Sequence, residues 1–131
     1  MSTFRKAVHT VKAPQPDSPY SQAIVADGWV YLSGQAALSM DSKTLLKELN
    51  FEEQARLTFE FIKEILEAAG SDMDHVVKVN GHISNEELYF GTYNNVYKEY
   101  FSEPYPARIT LEGGLSPGIH LEVDVIARVK E

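Results

Sequence analysis

Residues 121–127 read Leu-Glu-Val-Asp-Val-Ile-Ala, and no other stretch constrains the fold as tightly. Side chains along a strand alternate between faces, so Leu121, Val123, Val125 and Ala127 share one face. Glu122, Asp124, Ile126 and Arg128 share the other. Residues 76–83 behave similarly: Val77, Val79 and Ile83 are expected on one face, with Val76, Lys78, Asn80 and His82 opposite. Two such strands require a sheet with a core on one side. The half-polar second side carries Ile126 among charges, and no other element of the chain is left to cover it. The pattern therefore predicts that another subunit does.

The remaining elements follow from local chemistry. Residues 4–9 alternate weakly, as an edge strand does, and three prolines between Pro14 and Pro19 give an extended loop. Asp27-Gly28 lies between Ala23–Val25 and Trp29–Leu32, the pattern of a tight β-hairpin whose turn needs positive φ at both central residues. Asn50 with Glu53 forms a capping-box pattern. Beyond it Ala55, Phe59, Ile62, Leu66 and Ala69 recur at helical spacing, with Glu52, Arg56, Glu60, Lys63 and Glu67 opposite, until Gly70 ends the helix. A second helix is expected over about Glu86 to Phe101, ahead of Pro104 and Pro106. Closing strands are expected over Ala107 to Glu112 and His120 to Lys130. Three strands, a helix, a strand, a helix and two strands make an α+β fold, a six-stranded mixed sheet with two helices on one face.

Composition narrows the functions. A chain of 131 residues supports one domain, here 1–131. No apolar run approaches the ~20 residues of a membrane span, and residues 1–12 carry no secretory apolar core; a cytoplasmic location is the expectation. With no cysteine, disulfides, thiolate nucleophiles and cysteine-ligated zinc are excluded. The net charge of -7, with lysines and arginines scattered, disfavours nucleic acid and anionic membrane as partners. Gly113, Gly114 and Gly118 lie between strands rather than ahead of a helix, so they form no phosphate loop. His9, His75, His82 and His120 lack metal-ligand spacing, and no serine stands in a nucleophile elbow.

Three polar residues stand out. Arg108 opens a strand expected to be buried, where it either pairs with a glutamate or offers its planar fork to a ligand carboxylate. Glu122 either faces solvent or, at a subunit cleft, becomes a proton-transfer group whose pKa desolvation raises. Tyr20 sits on a proline-stiffened loop, as packing or with its hydroxyl in a pocket.

Five segments recur in one order: Ser18-Pro19-Tyr20-Ser21-Gln22, Ser33-Gly34-Gln35, Glu67-Ala68-Ala69-Gly70, Tyr105-Pro106-Ala107-Arg108 and Leu121 to Ala127. Together they resemble the reactive intermediate deaminase family, the YjgF-like or Rid proteins, from about Ala13 to Val129. The resemblance implies a chorismate-mutase-like fold and a homotrimer with clefts between subunits. It implies hydrolysis of 2-aminoacrylate or 2-imino acids to 2-keto acids and ammonia, with no cofactor and no metal. By it, Arg108 binds the substrate carboxylate and Glu122 activates water. Tyr20, Ser33, Gly34 and Asn94 line the pocket. Thr110 replaces the cysteine that many members carry, which leaves its hydroxyl and backbone for ligand contact. The loop before Glu122 is also one residue shorter than the common bacterial pattern. Both departures bear on substrate preference. Other readings under the same resemblance are a metabolite-binding or chaperone-like trimer, and an endoribonuclease or translation inhibitor.

Overall fold

The computed structural model describes residues 4–131. Strands β1 (Lys6–Val8), β2 (Ala23–Ala26) and β3 (Trp29–Leu32) form an antiparallel meander. Its tight turn places Asp27 at φ 52° and Gly28 at φ 82°, the left-handed geometry expected of Asp-Gly. β4 (Gln35–Ala36) follows, then helix α1 (Phe51–Ala68), β5 (Val76–Ile83), helix α2 (Glu86–Tyr100), β6 (Ala107–Glu112) and β7 (Leu121–Arg128).

The sheet runs β1-β2-β3-β7-β5-β6, with β4 pairing β7 beside that path. It therefore has seven strands rather than six, because two residues after Gly34 add a short ladder opposite Glu122 and Val123. Only β5 and β6 are parallel, joined through α2, so the sheet is mixed.

α1 begins at the expected capping box: the Asn50 side chain accepts from the Glu53 amide at 2.8 Å, and the Glu53 carboxylate accepts from the Asn50 amide at 2.9 Å. Gly70, at φ 81°, follows its last turn. Phe59, Ile62, Ile65 and Leu66 are wholly buried, and with Tyr93, Val96 and Tyr97 of α2 they pack on Val30, Val79, Ile83, Leu121, Val123 and Val125. Both helices thus cover one sheet face. Gln54 and Thr58 are buried as well. Gln54 is held by the Leu49 and Gly118 carbonyls and accepts from the His120 amide.

One expected face assignment is reversed. A register shift between Val76 and Lys78 turns Val76 to the core, 7% exposed, and leaves Val77 41% exposed. A bulge adds a residue to one strand and breaks the alternation there, which the adjacent Val76 and Val77, equally apolar, do not reveal.

The second face is open. It carries Lys78, Asn80 and His82 of β5 alongside Ile109 and Leu111 of β6 and Glu122, Asp124 and Ile126 of β7, with Tyr31 of β3 opposite Ile126. Tyr31, Ile109 and Leu111 are each nearly half exposed. No described helix is long and apolar enough to cross a membrane.

Candidate active site

The expected site residues fall into two groups. The first is cationic and lies between β6 and α2. Parallel pairing sets Arg108 beside Val79 and Thr110 beside Gly81, so both project from the helix-covered face. There the Arg108 guanidinium meets three rings of α2: its carbon lies 4.7 Å from the Tyr97 centroid, 5.1 Å from Tyr93 and 5.5 Å from Phe90. Ring faces attract a cation without neutralising it. Nη2 donates to Asn94 Oδ1 at 2.6 Å. Asn94 is a neutral acceptor, and among the described residues Arg108 makes no ion pair. Of the two readings of Arg108, the internal Arg–Glu pair is therefore not what the fold builds.

The hydroxyls here are unsatisfied. Tyr93 Oη, Tyr97 Oη and Thr110 Oγ1 are buried without hydrogen-bond partners. Burial pushes the Tyr93 and Tyr97 phenols up, against the pull of the Arg108 charge. Gly81 is required at this spot: a Cβ added to it would stand 2.9 Å from Tyr93 Oη. A cavity of about 320 Å³ opens beside the guanidinium, lined by Asn94, Tyr97, Lys98, Tyr105, Pro106 and Arg108.

The second group is acidic and lies on the open face. Glu122 of β7 stands opposite His82 in the ladder and opposite Ala36 of β4. Desolvation raises its carboxyl pKa; His82 acts in the other direction, and Asp124 adds to the rise. Gly34 touches it so closely that a Cβ there would lie 2.8 Å from Glu122 Oε2. Tyr20 is near enough that the Glu122 charge contributes to raising its phenol, after burial and Asp17. Ser33 holds the Tyr20 loop: its hydroxyl donates to the Ser21 carbonyl at 2.6 Å, and its amide to the Gln22 carbonyl at 3.0 Å. Gln22, 2% exposed, in turn accepts from the Thr10 amide and donates to the Thr10 and Pro14 carbonyls. The Ser-Pro-Tyr-Ser-Gln segment is thus a buttressed loop that presents Tyr20.

One chain does not bring the two groups together. Arg108 and Glu122 are two strands and three residues apart, roughly 14 Å between Cα atoms from ~4.8 Å per strand and ~3.3 Å per residue. They also project from opposite faces. Arg108, Asn94 and Thr110 form one half; Tyr20, Ser33, Gly34 and Glu122 form the other. His82 belongs beside Glu122, and sequence reasoning passed over it as one of four scattered histidines. Its signal was its place in the alternation of 76–83, on the same face as Asn80. No described group of three or more His, Cys, Asp or Glu residues could hold a metal ion.

This geometry has relatives. Residues 10–129 match the family model described as endoribonuclease L-PSP. The chain belongs to that family, the Rid/YjgF proteins. Among curated Rid relatives, the mouse (Mus musculus) 2-iminobutanoate/2-iminopropanoate deaminase is 38% identical, covering 96% of this chain and 93% of its own. A RutC family protein of Pyrococcus abyssi is 36% identical, over 94% and 96%. Among solved Rid structures, RidA of an Antarctic Psychrobacter species superposes with a TM-score of 0.85 at 35% identity, over 95% of this chain and 99% of that one. TdcF of E. coli with bound serine gives 0.84 at 30% identity, over 95% and 99%.

Proposed function

We propose that this Rid protein hydrolyses 2-imino acids and their enamine tautomers to 2-keto acids and ammonia. Each site combines the Arg108 half of one protomer with the Glu122 half of another, in a homotrimer. The observation that carries this reading is Arg108, a partly buried cation held by Asn94 and three aromatic faces and matched by no carboxylate. An arginine in such a setting retains donors for a ligand carboxylate. The exposed Tyr31, Ile109 and Leu111 on the open face, with Ile126, supply apolar surface for neighbouring copies.

The chemistry asks little of the protein. An imine carbon is already electrophilic. Arg108 holds the carboxylate and so fixes the C=N carbon in place, a charge-assisted contact of about 1.5–3 kcal/mol. Glu122, whose desolvated carboxyl has a raised proton affinity, takes a proton from water as its oxygen bonds to that carbon. That proton goes to nitrogen, giving a carbinolamine; Glu122 then moves the new hydroxyl's proton to the same nitrogen, so that the C–N bond breaks, ammonia leaves and the C=O forms. Neither a metal nor a cofactor is needed. A positioned base of this kind contributes roughly 10²–10⁴-fold. Two features of the relatives agree: the mouse protein is named for 2-imino acid deamination, and serine, bound in TdcF, carries the α-carboxylate and α-nitrogen of an imino acid.

The family's other name points to RNA cleavage. A net charge of -7 opposes a phosphate backbone, and Arg108 is boxed by three rings and an amide beside a cavity of about 320 Å³, room for a small acid rather than a nucleic-acid strand. A coupled assay tests the proposal: an amino-acid oxidase or a pyridoxal-phosphate lyase releases the imine, and keto-acid appearance is timed. Wild type accelerates it and Arg108→Ala does not. Full activity in Arg108→Ala rejects the assigned role; no acceleration by wild type across several imino acids favours a metabolite-binding trimer.

A further inference from the structure

The cavity beside Arg108 has a second cation on its wall. Lys98 lines it along with Arg108, and no carboxylate does. Lys98 and Asn94 are four residues apart on α2, so their Cβ atoms are neighbours about 5–6 Å apart on one helix face. Because the Arg108 guanidinium is bonded to Asn94, the two positive groups flank the same opening, about a helical turn apart.

Nothing described in the chain neutralises Lys98. It makes no ion pair. Its neighbours three and four residues away are Asn94, Asn95, Phe101 and Ser102, none of them acidic. The adjacent Glu99 is taken by Arg56. In a protein of net charge -7, two uncompensated cations on one small cavity are a local reversal of the overall field. A cavity of about 320 Å³ is at the small end for ligand sites and suits a short acid.

We infer that this pocket selects dicarboxylates: the carboxylate next to the reacting carbon pairs with Arg108, and a distal side-chain carboxylate pairs with Lys98. The preferred substrates are then imino acids of the acidic amino-acid type, with the matching 2-keto diacids as products. This rests on the deaminase reading for the identity of the reacting group, while the charge pairing is a binding property that can be read separately.

The test uses keto acids as stable product probes. Calorimetric titration of the full chain compares 2-oxoglutarate with 2-oxobutyrate. Wild type is expected to favour 2-oxoglutarate by about three- to tenfold, between the value of an exposed ion pair and that of a charge-assisted hydrogen bond. Lys98→Ala brings that ratio to about one, Lys98→Arg retains it, and Lys98→Glu inverts it. Equal affinities in wild type, or a ratio untouched by Lys98→Ala and Lys98→Glu, overturn the inference. A lysine in the last turn of α2 also complements the helix dipole. If that were its whole role, Lys98→Ala would lower the melting temperature and leave the ratio alone, which also overturns it. Imine hydrolysis is measured in parallel. Selectivity without hydrolysis supports the ligand class and removes the deaminase reading; hydrolysis without selectivity does the reverse.

Discussion

Arg108 and Glu122 stand on neighbouring parts of one sheet, yet their surroundings are built in opposite ways. Arg108 points to the helix-covered face, where aromatic rings and a neutral amide hold it in place and leave its charge uncompensated. Glu122 points to the open face, where desolvation disfavours its charge and a glycine allows the Gly34 backbone to approach within contact. The first half keeps a charge available for a ligand. The second holds a base whose proton affinity is raised. Under the proposed function, binding and proton transfer fall to separate halves, and one protomer carries both halves without joining them.

The strongest test of that separation is subunit mixing. Arg108→Ala is expected to lose roughly 10- to 10²-fold of activity and Glu122→Gln roughly 10²–10⁴-fold in the coupled assay. Co-assembled in equal amounts, they should recover about a quarter of wild-type activity, half of one wall times half of the other. If one chain supplied both residues to a site, mixing would restore nothing.

Next in size is the pH behaviour. The folded Glu122 carboxyl has a raised pKa, so the acid limb of kcat/KM should lie above the ordinary glutamate range and vanish with Glu122→Gln. The same shift sets a stability sign. Folding favours the protonated form, and this contribution, complete below the unfolded-state pKa, is lost as pH rises through the folded one. At pH 7 the charged group weakens the fold. Glu122→Gln should then raise the urea midpoint at pH 7 while removing activity, a trade expected of a working site.

The cationic half is sharpened by Gly81. Gly81→Ala places a methyl against Tyr93 Oη and should cost about 1–3 kcal/mol, disturbing the ring under Arg108. Tyr93→Phe removes the clashing atom and leaves Cζ at 3.6 Å, so the double variant should recover most of that stability in urea melts. If the two costs simply add, the hydroxyl is not what excludes a side chain there. The smallest effect is expected in the acidic half. Ser33→Ala loses the bond to the Ser21 carbonyl, about 1 kcal/mol. It should loosen the Tyr20 loop and raise KM more than it lowers kcat.

Much of this was legible in the residues. Asp27-Gly28, the Asn50–Glu53 box and the alternation of Leu121 to Ala127 each name their own geometry, because backbone sterics and side-chain periods act within a few positions. The ordered segments from Ser18 to Ala127 marked the family, and Arg108 and Glu122 stood out as polar residues in apolar strands. Other features needed the folded chain. The bulge that swaps Val76 for Val77, the two-residue β4 and the burial of Gln54 depend on partners up to 88 residues away. So does the division of the site. Which face Arg108 takes relative to Glu122 follows from the parallel register of β6 on β5 and the antiparallel register of β7 on the same strand. A one-residue slip in either would turn every side chain over. The sequence by itself determined the elements and the chemical groups available; long-range packing of the helices on one face chose the registers, and with them which charges share a side.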